Sequence, residues 1–132
     1  MSQVIQPGGW AKPRGYSNGV LAQGRQLYIA GQVGWDPTKA TPTFEVGFDA
    51  QFDRALANVM AVLKQAGGAP EHLVRMTMYV TDKRQYLDAL PAVGAAWKKH
   101  VGPFYPAMAL LQVTALLEDK ALVEIEATAV LP

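Results

Sequence analysis

The chain has 132 residues, half of them apolar and 17% charged, enough to bury one core and too few for separate cofactor and substrate domains, so residues 1–132 are expected to form a single domain. Twelve Lys and Arg against eleven Asp and Glu leave a formal charge of +1, which argues against a nucleic-acid or anionic-membrane partner. The absence of cysteine excludes a disulfide framework, a thiolate zinc site, an iron–sulfur cluster and a cysteine nucleophile, and fits a cytoplasmic chain.

Met1 to Trp10 contain no basic segment followed by an apolar run, and no apolar stretch approaches the length of about eighteen residues that a membrane span needs, so neither a signal peptide nor a spanning helix is expected. Ser17 to Ala22 and Leu27 to Val33 read as two strands joined across Gln23-Gly24-Arg25-Gln26, the pattern of a hairpin. Asp36 to Gly47, rich in Pro, Gly and Thr, reads as a loop. From Phe48 the period changes: Phe48, Phe52, Ala55, Leu56, Val59, Leu63 and Ala66 recur at three- and four-residue steps, and Gly67-Gly68 supplies a stop. Val74, Met76, Met78 and Val80 then alternate with Leu73, Arg75, Thr77 and Tyr79 in a strand ending at Thr81-Asp82. Leu87 to His100 returns to helical spacing, with Asp88 as the expected N-cap and Pro91 in the first turn, where its missing N–H is harmless. After Gly102-Pro103 come two more strands, Ala107 to Ala115 and Ala121 to Leu131. The order ββαβαββ predicts an α+β sandwich of two layers, a mixed sheet with two helices on one face.

The last strand says most about function. Val123, Ile125, Ala127 and Ala129 point toward the helices, while Leu122, Glu124, Glu126, Thr128 and Val130 point away, which puts two carboxylates about 7 Å apart on the open face. On the preceding strand the residues facing them are Met108, Leu110, Gln112 and Thr114, or the complementary set. An apolar face studded with a few polar groups usually meets another subunit, and a closed cyclic oligomer would leave clefts between copies. On the pattern alone, the plainer reading of Glu124 and Glu126 is a solvated strand face.

Other polar residues favour structural roles. His72 and His100 stand apart with no carboxylate motif between them, and His100 near a helix C-terminus is explained by the macrodipole, so no metal site is expected. Ser17 lies outside a Gly-x-Ser-x-Gly turn and has no matched His, and the glycines from Gly15 to Gly24 lack a phosphate-binding spacing. Arg75 fits a structural ion pair. Trp97 belongs to the core; Trp35 sits at a cleft rim or in a loop.

Several segments in register resemble the Rid (YjgF-like) family: Gly15-Tyr16-Ser17-Asn18-Gly19-Val20, Ile29-Ala30-Gly31-Gln32-Val33, Ala57-Asn58-Val59 with Ala66-Gly67, Met76-Thr77-Met78-Tyr79-Val80-Thr81-Asp82, and Tyr105-Pro106-Ala107 followed by Val123-Glu124-Ile125-Glu126-Ala127. The resemblance implies a chorismate-mutase-like α+β fold and a homotrimer whose sheets line a central barrel, with small-molecule clefts at the subunit interfaces. Its best-studied branch hydrolyses reactive imines and enamines to 2-keto acids and ammonia with no metal or organic cofactor. By position, Glu124 matches the catalytic Glu that holds water, Tyr16 the Tyr lining the cleft, and Gly31 the glycine approached by the ligand.

One family feature is missing. The Arg that clamps the substrate carboxylate follows the Pro-Ala dipeptide in the family, and here that position is Met108, whose thioether cannot replace a guanidinium fork. The small or Cys residue two places on is Leu110, which narrows or dries the cleft. This pattern resembles divergent branches lacking the Arg. Arg14, two residues before Tyr16, is a candidate replacement anchor, the plainer reading being a surface residue after Pro13. Two classes therefore stand: a hydrolytic deaminase with a non-standard anchor, or a non-catalytic trimeric module that binds a small molecule or a protein.

Overall fold

The computed structural model describes residues 2–132. Its elements in chain order are β1 (Ser2–Ile5), β2 (Gly19–Ala22), β3 (Arg25–Val33), β4 (Trp35–Asp36), β5 (Thr43–Phe44), α1 (Phe48–Gln65), a 3₁₀ turn (Pro70–His72), β6 (Leu73–Val80), α2 (Lys83–Asp88), α3 (Leu90–His100), β7 (Ala107–Gln112) and β8 (Val123–Leu131). The main sheet runs β3-β8-β6-β7. Its first three strands are antiparallel neighbours, and β7 joins β6 in parallel. The fold is the expected mixed α+β arrangement, with three helices in place of two.

The core lies between one sheet face and the helices. Residues Phe52, Ala55, Leu56, Val59 and Leu63 of α1 are almost fully buried against Val123, Ile125 and Ala129 of β8 and Met76, Met78 and Val80 of β6. Each of the larger side chains contributes roughly 1.5–3 kcal/mol on leaving water. The helix stops where Ala66, Gly67 and Gly68 turn their N–H groups back to Val62, Leu63 and Lys64 carbonyls, with Gly67 at φ +83°. Two buried amides fasten the loops to α1. Gln51 donates to the Glu45 and Lys120 carbonyls and accepts from Leu122 N–H, while Asn58 donates to the carbonyls of Val33 and Trp35.

Four expectations are corrected. The hairpin of β2 with β3 does not form: β2 pairs with β1, and β3 with β8. A Cβ on Gly24 would lie 2.1 Å from the Leu131 carbonyl oxygen, so the start of β3 is pressed onto the end of β8. The segment read as a loop contains β5, which pairs with β4 and sets Phe44 against Trp35 at 5.3 Å. The cap at this point of the chain is Asp82, accepting from Arg84 N–H to open α2, whereas Asp88 ends that helix and Ala89 precedes α3 without a side-chain bond. Pro91 does fall in the first turn of α3. Finally, β7 is no neighbour of β8, because β6 lies between them; a parallel β6–β7 pair needs the long crossover that α2 and α3 provide.

The predicted alternation of β8 holds, with Val123, Ile125, Ala127, Ala129 and Leu131 buried and the intervening residues at least partly exposed. In β6 it slips at one end. A register shift between Leu73 and Arg75 lets Leu73 join the core although its parity matches Arg75.

Candidate functional site

Glu124 stands near the start of β8, opposite Val33 of β3 and Tyr79 of β6. On β3 an extra residue is accommodated between Ile29, which faces Ala127, and Gln32, which faces Ile125. Such a bulge bends the strand and interrupts its ladder. Gly31 sits in it, and a Cβ there would lie 2.0 Å from Oε2 and 2.8 Å from Cδ of Glu124. The carboxylate therefore occupies the space a side chain at residue 31 would need. It is half-buried, which leaves it able to hold a water molecule and exchange a proton with it.

Tyr79 is the neighbour that sequence reasoning did not single out. Its hydroxyl donates to Oε2 of Glu126 at 3.2 Å. Burial first, and then the negative charges of Glu126 and Glu124, hold the phenol above its ordinary pKa, so it stays a neutral donor beside two carboxylates. Strand parity places Tyr79 on this face, but its pairing with Glu124 is a register fact that one sequence does not display.

The other predicted residues lie elsewhere in the chain. Ser17 pairs with Ala107 in a short parallel bridge, its N–H donates to the Pro106 carbonyl at 3.0 Å and its hydroxyl donates to the Tyr105 carbonyl. That attachment puts the half-exposed Tyr16 beside Met108, in a hollow of about 200 Å³ that Arg75 also lines. Arg14 and Met108 both border a larger cavity under α3. Leu110, on the sheet edge, borders neither.

Glu124 with Gly31 thus forms one group, and Tyr16, Arg14 and Met108 another. Met108 pairs with Met76, whose side chain faces the helices, while Glu124 faces away from them three register positions further on. Two strand spacings and three residue rises separate them by about 14 Å.

Several bland readings are decided. His72 Nδ1 accepts from Ala69 N–H at 2.9 Å, and His100 Nε2 lies 3.0 Å from Asp53 Oδ1, so both histidines are committed to structural contacts. Trp97 is buried. The expected ion pair of Arg75 is absent among the described residues: Arg75 faces Thr128, and Glu126, two register positions along, accepts from Tyr79 instead. No helix among those residues is long and apolar enough to cross a membrane.

Comparison with known proteins adds the following. Residues 11–131 match the family profile described as Endoribonuclease L-PSP. A curated relative, the 2-iminobutanoate/2-iminopropanoate deaminase of Capra hircus, is 35% identical over 115 residues, covering 87% of this chain and 79% of that protein. Among solved structures, the Rid protein YyfB of Yersinia pestis aligns with a TM-score of 0.84 at 34% identity over 98% of both chains. E. coli TdcF with bound serine aligns with a TM-score of 0.73 at 26% identity, covering 98% of this chain and 99% of that one.

Proposed function

The chain belongs to the Rid (YjgF-like) family, and from that premise we propose that it is a hydrolytic deaminase of a reactive 2-imino or enamine metabolite. The observation that carries the reading is the Glu124 carboxylate lying over the Gly31 bulge. Glu124 takes a proton from a water molecule as its oxygen bonds to the imine carbon, and returns the proton to nitrogen. Glu124 then accepts the hydroxyl proton of the tetrahedral carbinolamine and passes it to nitrogen, the C–N bond breaks, and ammonia leaves behind a carbonyl compound. An enamine first takes a proton at carbon and gives one up from nitrogen to become the imine. Supporting the reaction class, the goat relative is named for deaminating 2-iminobutanoate and 2-iminopropanoate.

Substrate positioning falls to the second group. Within one chain Met108 and Glu124 are too far apart to share a small substrate, which supports a homotrimer with clefts completed between copies. There the Glu124 and Gly31 of one copy meet the Tyr16, Arg14, Met108 and Leu110 of the next. Arg14 supplies the positive charge that Met108 lacks.

The test is turnover of imines generated in place by an amino-acid oxidase, with wild type compared with Glu124→Gln. Loss of at least about 100-fold in the variant, with the oligomer intact, is the expected result. Failure of the wild type to outpace buffer across small and bulky imines would overturn the reading. Met108 in place of the clamping Arg favours one alternative, a non-catalytic trimeric binding module. On that alternative the wild type turns over nothing and Glu124→Gln loosens the trimer.

A further inference from the structure

The cavity under α3 has a volume of about 840 Å³, within the range of roughly 300–1,000 Å³ typical of small-molecule sites. Its floor is Met78 and Met108 of β6 and β7, and Val93 and Trp97 of α3 form its roof. Trp97 is anchored by its indole N–H, which donates to the Phe104 carbonyl at 3.2 Å, and it stacks on Tyr105 at 5.8 Å with ring planes 9° apart. These are apolar and aromatic walls on rigid elements.

The charge on this cavity is one-sided. Arg14 and Lys98 border it, no lining residue is acidic, and neither cation has a salt-bridge partner among the described residues. The groove between α1 and α3 is a useful contrast, because there Arg54 meets Glu45 at 3.3 Å and Lys99 meets Asp53 at 3.5 Å. There each cation has its own carboxylate. Those of the α3 cavity are left for an anion from outside.

A second observation concerns Gly94, which lies inside α3 and faces the cavity with nothing within 4 Å of where a Cβ would stand. A helix-interior glycine costs about 1 kcal/mol relative to alanine, and packing does not require it here. The Tyr86 hydroxyl, on the same wall, has no hydrogen-bond partner among the described residues, and burial holds its pKa above the ordinary value, leaving a neutral donor.

We infer that this cavity receives the aromatic or bulky branched side chain of a 2-oxo or 2-imino carboxylate, whose carboxylate is held at the mouth by Arg14 with Lys98. The inference deepens the deaminase reading by naming its substrate class. The side chain enters beside Met108, and the reacting carbon stays at the sheet edge, where a neighbouring copy supplies Glu124. In this cavity Met108 becomes a gain: an apolar floor packs against a ring without the cost of burying a charged guanidinium.

The test has a binding arm and a turnover arm. By calorimetry, phenylpyruvate is expected to bind the wild type at least tenfold more tightly than pyruvate, Gly94→Leu to abolish that preference, and Arg14→Ala to weaken phenylpyruvate roughly tenfold. Gly94→Ala, which takes only a methyl's volume from the cavity and favours the helix, should raise Tm and weaken phenylpyruvate less than Gly94→Leu does, a graded effect that ties the loss to filling the space. In the turnover arm, the imine formed from phenylalanine should be hydrolysed faster than that from alanine. Phenylpyruvate binding that Gly94→Leu abolishes, with no turnover of any imine, would uphold the cavity and sink the deaminase reading. Turnover of small imines that is lost in Glu124→Gln, with phenylpyruvate bound no better than pyruvate or indifferent to Gly94→Leu, would overturn this inference and leave that reading standing.

Discussion

Gly31 matters for what it lacks. Because the obstacle to a Cβ there is the flexible end of Glu124, Gly31→Ala is expected to alter stability by about 1 kcal/mol or less while swinging the carboxylate out of place. Turnover should fall at least tenfold with Tm nearly unchanged, and a thermal melt beside a rate measurement checks both halves. Met108→Arg makes the opposite kind of change by restoring a fork for a carboxylate. It should raise kcat/KM for the imine of alanine and lower it for that of phenylalanine, and a rise for both would show that the apolar floor is unimportant. At this scale the face of Glu124 was legible, since period-two alternation needs only the residue's own strand. Its contact with Gly31 was not, because a bulge in one strand shifts the register with another far away in sequence. The family resemblance marked both positions, and only the fold brought them together.

Among the elements, α1 was legible almost to the residue, since its buried stripe and its glycine stop are local signals. Partner choice between strands is not local. The two-residue turn between β2 and β3 looks like a hairpin, yet β8 offers β3 a longer antiparallel partner with a fully buried face. The packing of α1 on α3 is reinforced by Asp53, which meets Lys99 and His100. Burial works against the charge on Asp53, but the hydrogen bond and charge of His100, with Lys99 behind them, outweigh it and hold the carboxyl below its ordinary value. A carboxylate depressed in the folded state stabilises fully above its unfolded pKa of about 3.9, and that contribution is lost as pH falls through the depressed value. Asp53→Asn should therefore cost at most about 1 kcal/mol near neutral pH, given its partial exposure. The deficit should vanish in strong acid, and melts of both proteins at neutral pH and near pH 2 measure it.

For the whole molecule, the open sheet face carries Tyr28, which is 73% exposed, together with Arg75, Thr77, Tyr79, Glu124 and Glu126. On the proposed assembly this face and the β7 edge meet neighbouring copies. Sedimentation at micromolar concentration should give three times the 14.3 kDa chain mass, and a monomer there would remove the shared cleft. The layer order was legible because helices and strands alternate in a way few architectures accept. The oligomer was not, since composition shows that a face is amphipathic and not what covers it.

The position of β8 has a consequence for how the protein comes to be made. This strand lies between β3 and β6 in the sheet but follows both in the chain, pairing Arg25 with Leu131 and Leu73 with Ala129. Until it leaves the ribosome, the two strands it joins have no common partner and α1 has half its floor missing. The sheet closes through contacts distant in sequence, the kind that slow folding. The exposed strand edges of that interval are the stage at which the nascent chain most needs a chaperone's shelter.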